Sequence, residues 1–116
     1  MPNPFVWFDN AGSAKDETAK FLSTMFGWNT QESGPNLFLS EAGQDMPFGL
    51  TADRLDGVSG WIRYVEVDDL GAAATKAESL GGIIVAANVA GPAGVATFVK
   101  DPGNAVIAIW KRGSPE

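Results

Sequence analysis

The chain has 116 residues, with 8 basic and 14 acidic side chains and a formal net charge of −6. It has no cysteine and no histidine, which excludes disulfides, thiolate nucleophiles, zinc fingers and Ser-His-Asp triads. Any metal site would rest on oxygen ligands, suited to Mg²⁺, Ca²⁺ or Mn²⁺.

This length suits one compact domain, and 45% apolar with 19% charged residues is the balance of a globular chain with a real core. The basic residues are scattered singly apart from Lys111-Arg112. Nucleic acid is therefore not an expected partner, since phosphate binding needs clustered Lys and Arg. No apolar run approaches the roughly 20 residues of a membrane-spanning helix. The stretch Met1 to Phe5 has neither the basic start nor the apolar run of a secretory signal. With no cysteine either, the expected location is the cytoplasm.

In chain order, Pro4–Asp9 reads as a strand, aromatic and β-branched, broken by Asn10-Ala-Gly12. Ser13 is the expected N-cap of a helix with Asp16 and Glu17 in its first turn and apolar positions at Ala14, Thr18, Phe21, Leu22 and Met25. Gly27 closes it. Trp28–Glu32 is a predicted strand, Ser33–Asn36 a turn, Leu37–Leu39 a strand, and Phe48–Thr51 a looser extended piece. Asp53–Gly60, polar and containing two glycines, reads as a linker.

The order then repeats. Trp61–Val67 is a strand, Asp68 or Asp69 caps a helix through Leu80, and Gly81-Gly82 ends it. Ile83–Ala86 is a strand and Ala90–Gly94 a loop. Val95–Lys100 and Ala105–Trp110 are strands around the turn Asp101-Pro-Gly-Asn104. The loop Gly91–Gly94 precedes a strand and has no Lys-Ser/Thr after it, so it is a turn and not a phosphate cradle. Gly27 and Gly81 stand about half a chain length apart, the mark of an internal duplication.

These segments resemble the glyoxalase, bleomycin-resistance protein and extradiol dioxygenase group, the vicinal oxygen chelate superfamily. The resemblance rests on Val6-Trp-Phe-Asp9, Ala19-Lys-Phe-Leu22 and Met25-Phe-Gly-Trp28 in the first half. In the second half it rests on Tyr64–Leu70, Ala77–Gly82, Asp101-Pro102 and Ala108-Ile-Trp110. It implies an α+β fold: two βαβββ modules, about 1–56 and 57–116, forming an open, incomplete barrel with the helices outside, all within one domain. It also implies a homodimer and, in the enzymes, a divalent metal held by His and Glu in the cleft. The implied ligand positions fall at or next to Trp7, near Ile62, on Ala108 and around Phe48–Thr51. None carries a typical metal-ligating side chain, so no metal and no cofactor is expected.

Strand alternation gives a candidate cleft. If Val65 and Val67 face the helices, Ile62, Tyr64 and Glu66 face the cavity, with Ala108, Trp110, Trp7 and Asp9 on the same side. Such a wall suits a planar or cationic small molecule, although the same aromatics would also serve to fill a small barrel. Asp9 and Glu66 could form an acid–base pair or a carboxylate Mg²⁺ site, or sit at a rim or pair with Arg63 or another basic group. Three functions follow: a metal-independent binder; a lyase, isomerase or dioxygenase with an oxygen-ligated metal; or a non-catalytic interaction module.

Overall fold

The computed structural model describes residues 3–53, 58–91 and 93–113. The middle of the predicted linker, 54–57, and Pro92 of the predicted loop lie outside the described residues. The chain divides into two compact units, one of residues 7–62, the other of residues 63–113 with 3–6.

The first unit contains β1 (Phe5–Gly12) from Trp7 onward, α1 (Lys15–Phe26), β2 (Asn29–Ser33), β3 (Asn36–Ser40) and β4 (Gly49–Asp53), with strand order β2-β3-β4-β1. β1 and β4 are parallel and the remaining pairs antiparallel. A parallel pair needs a crossover, and α1 supplies it. In register, Asp9, Leu50 and Phe38 share one sheet face, while Phe8, Gly49 and Leu39 share the other. Leu37, Leu39 and Thr51 on that second face are buried, as are Ala19 and Leu22 of α1. Each such leucine contributes about 1.5–3 kcal/mol by leaving water. Thr51 is enclosed because its hydroxyl donates to Asn10 Oδ1 at 3.1 Å, which satisfies a polar group that burial would otherwise penalise.

The second unit repeats the plan. It contains β5 (Gly60–Glu66) from Arg63 onward, α2 (Leu70–Ser79), β6 (Ile83–Ala90), β7 (Gly94–Lys100) and β8 (Val106–Arg112), in the order β5-β8-β7-β6. β5 and β8 are parallel; β8, β7 and β6 are antiparallel neighbours. The fold is α+β and built of two βαβββ modules, as the sequence predicts. Among the described residues no helix is long and apolar enough to cross a membrane.

Helix ends show where local signals suffice. Gly27 takes the left-handed conformation at φ 70° and donates its N–H to Ser23 O at 2.8 Å, closing α1. Asp69, not Asp68, caps α2: its carboxylate accepts from Ala72 N at 2.9 Å. Asp69→Ala is expected to cost about 1 kcal/mol in a urea titration, the usual worth of a lost N-cap; Asp68→Ala, with no such bond to Ala72, should cost less. The expectation for α1 is corrected. The N-cap is Ala14 and no side chain caps it, because β1 runs on to Gly12 in register with Asp53 and delays the turn into the helix.

Other boundaries shift for similar reasons. Trp28 precedes β2, and Val67 lies outside β5, although its N–H still donates to Trp110 O at 2.8 Å. β6 continues to Ala90, well beyond Ala86, through two register irregularities. Asn88 there has φ 55° and its N–H donates to Thr97 Oγ1. A bulge hides the strand's alternation from sequence reading.

Candidate functional site

The predicted cleft residues fall in both units. In the first, Trp7 and Asp9 lie two apart on one face of β1, and the indole Nε1 donates to Asp9 Oδ1 at 2.7 Å. The Trp7 ring meets Phe38 edge to face, 5.9 Å between centroids at 79°. Ile62 is core, 2% exposed.

In the second unit, Tyr64 and Phe98 flank Ala108 in register. Their rings meet edge to face at 5.9 Å and 89°, across the strand that carries Ala108. The alanine methyl is fully enclosed, 0% exposed, because only a small side chain fits beneath that ring pair. One step along, Glu66 pairs with Trp110 in register. Both Glu66 oxygens accept from the Arg112 guanidinium, at 3.2 Å from Nε and 3.2 Å from Nη2. Arg112 also lies 5.0 Å from the centroid of the Trp110 ring. The basic partner of Glu66 is therefore Arg112, two residues from Trp110 on the same strand and the same face. Arg63 instead lies over the Phe5 ring at 5.7 Å. The ion pair is largely exposed on the Arg112 side, so it orders the indole more than it stabilises the fold.

These contacts occupy the implied metal positions. Trp7 is an indole that holds Asp9, while Ile62 and Ala108 are enclosed apolar groups. In Phe48–Thr51 the one oxygen-bearing side chain, Thr51, is bonded to Asn10. Among the described residues no group of three or more carboxylates is placed to hold a metal ion. These residues do not fit a divalent metal, which needs several oxygen ligands in place of its water shell.

A concave feature that sequence reading missed lies wholly in the first unit. It is a cleft of about 430 Å³ lined by Phe8, Trp28, Glu41, Phe48 and Trp61. Trp28 follows the Gly27 cap, so the left-handed turn there sets the position of its ring. Phe26, the last residue of α1, stacks against it at 4.9 Å and 34°. Phe48 meets Trp28 at 4.8 Å and 72°, and Trp61 meets it at 6.3 Å and 89°. Phe48 is fixed through its backbone: its N–H donates to Leu39 O and its carbonyl accepts from Phe8 N. Reading Trp28 as a strand residue concealed the cluster; the signal available was four aromatics at 26, 28, 48 and 61, none of them placed in the candidate cleft.

No protein-family model matches the sequence, and no curated protein matches it. Solved structures do. One is homoprotocatechuate 2,3-dioxygenase from Brevibacterium fuscum in complex with 3,4-dihydroxyphenylacetate, with TM-score 0.66 and 13% identity over 97% of this chain and 39% of that one. Another is a Mn(II)-bound glyoxalase from Novosphingobium aromaticivorans, with TM-score 0.62 and 13% identity over 99% of this chain and 42% of that one. A third is methylmalonyl-CoA epimerase from Mycobacterium tuberculosis, with TM-score 0.60 and 17% identity over 95% of this chain and 88% of that one. The chain thus spans well under half the length of the dioxygenase and glyoxalase chains. All three are vicinal oxygen chelate superfamily members, and this chain has their fold.

Proposed function

We propose that the protein binds a small organic molecule, planar or cationic, and does so without a metal. The observation that carries this reading is the state of the positions where the fold's enzymes hold their metal. Ile62 and Ala108 are enclosed, Trp7 is committed to Asp9, and Thr51 of the Phe48–Thr51 stretch is bonded to Asn10. What the sheet faces offer a ligand is aromatic surface: Trp7 in one unit, Tyr64 and Trp110 in the other. All three are half-buried, so part of each ring remains open for stacking. A cytoplasmic homodimer is part of the same proposal. Phe21 and Met25, one turn apart on α1, are 60% and 59% exposed, an apolar pair that a second copy would cover.

Three measurements test the reading. Elemental analysis of protein purified without chelators is expected to give far less than one metal per chain; a stoichiometric divalent metal would overturn it. Titration with a panel of planar aromatic cations is expected to change the tryptophan fluorescence. A flat response from folded protein across the panel would leave the interaction-module reading in its place. Sedimentation at micromolar concentration should give a dimer.

A further inference from the structure

We propose that the corner between Trp28 and Trp61 is a second binding site, and that its ligand is a quaternary ammonium group. The two indole planes stand perpendicular, at 89° with centroids 6.3 Å apart. Phe48 and Phe8 complete an aromatic lining. Phe26, tilted at 34° against Trp28, and Phe48, edge-on to it at 72°, both bear on that ring, so the corner is formed without a ligand. Trp61 is 47% exposed, an unusual placement for an indole that only fills a core.

The chemistry of the lining selects the ligand. A cation is drawn to the negative faces of aromatic rings, most strongly to tryptophan. Among the described residues Glu41 is the one charged side chain lining the cleft, and the other four are aromatic. A primary ammonium carries three donors that need acceptors, and one rim carboxylate cannot supply them. A quaternary ammonium has no donors, carries its charge on methyl groups and loses little by entering an aromatic box. The negative sign of Glu41 and of the whole chain, −6, favours its approach. Among the described lining residues an anionic ligand meets only aromatic rings and a like charge. The site lies on a different face from Trp7: Phe8 and Trp7 are adjacent on β1 and project to opposite sides of the sheet.

The test compares choline with its neutral carbon isostere, 3,3-dimethylbutan-1-ol, with sodium chloride matching the ionic strength. The readout is the four indole N–H signals in a ¹H–¹⁵N spectrum, assigned by single Trp→Phe variants. Choline is expected to move the Trp28 and Trp61 signals and leave those of Trp7 and Trp110 in place. The isostere is expected to bind at least about fivefold more weakly, since it keeps the shape and loses the cation–π attraction. Trp61→Ala should weaken choline binding about tenfold, and Glu41→Gln about two- to threefold, as for a partly solvated charge. Glu41 is exposed, so its variant folds even if Trp61→Ala does not. Equal affinity for the isostere would reduce the site to a plain apolar pocket and overturn the proposal. Movement of Trp7 or Trp110 in place of Trp28 and Trp61, or no movement at about 50 mM choline, well above the millimolar range a ligand this small needs, would also overturn it.

Discussion

Gly49→Ala is expected to destabilise the protein by about 3 kcal/mol or more, one of the largest effects of any conservative change in the chain. Gly49 sits in β4, buried between its register partners Phe8 of β1 and Leu39 of β3. A Cβ built at this position falls on the carbonyl oxygen of Phe8. That obstacle is backbone, held in a parallel strand pair, and cannot rotate aside as a side-chain tip would. β1 must move off β4, and the bond from Phe8 N to Phe48 O would go with it. Phe8 and Phe48 both line the aromatic cleft, so the same variant should also lose choline binding. Gly→Ala elsewhere commonly stabilises by about 0.4–1 kcal/mol through the unfolded chain, and Gly12 provides the control. An added methyl there meets nothing within 4 Å, so Gly12→Ala should be neutral or slightly stabilising. Urea titration of the three proteins decides the matter. A Gly49→Ala midpoint equal to wild type would show that β1 and β4 are not as closely paired as described.

Local signals in the sequence carried the element order well. Gly27, Asp69 and the turn at Asp101 act through their own neighbourhoods. Asp101 Oδ1 accepts from both Gly103 N and Ala105 N, and a side chain that folds back two to four residues leaves a local signature. Two of the misread boundaries involve a partner outside the element itself. Ser13 failed as a cap because β1 is prolonged by pairing with Asp53, and β6 outran its pattern because Thr97 accepts from Asn88 across a bulge. The candidate site divides the same way. Period-2 alternation was enough to group Tyr64 with Glu66 and Ala108 with Trp110, and the register sets Tyr64 beside Ala108 and Glu66 beside Trp110. It could not show that Arg112 closes on Glu66, since that depends on the relative stagger of two strands 46 residues apart in sequence. Nor could it assemble Trp28 with Phe48 and Trp61, which belong to no common periodic pattern.

The second large expected effect concerns Ala108, one of the metal positions that the sequence resemblance implies. Ala108→Glu is expected to cost about 3–5 kcal/mol, and to leave the protein without a bound metal. Two costs combine. The methyl of Ala108 is 0% exposed and lies under the Tyr64–Phe98 ring pair, so a further methylene and a carboxylate have to separate the rings. The new charge would also enter a neighbourhood where Phe98 is itself 4% exposed, and the basic group on that strand face, Arg112, already holds Glu66. The informative comparison is Ala108→Met, similar in bulk to Glu and uncharged. If Met costs nearly as much as Glu, steric filling closed this position. If Met is tolerated and Glu is not, desolvation of the charge is the barrier. A third outcome, Ala108→Glu folding with wild-type stability and taking up Mn²⁺ by elemental analysis, would mean that the position is still open to a ligand and would sink the metal-free reading of the sheet face. The enclosed alanine argues against that outcome. Two aromatic rings meet across the strand where the carboxylate would stand.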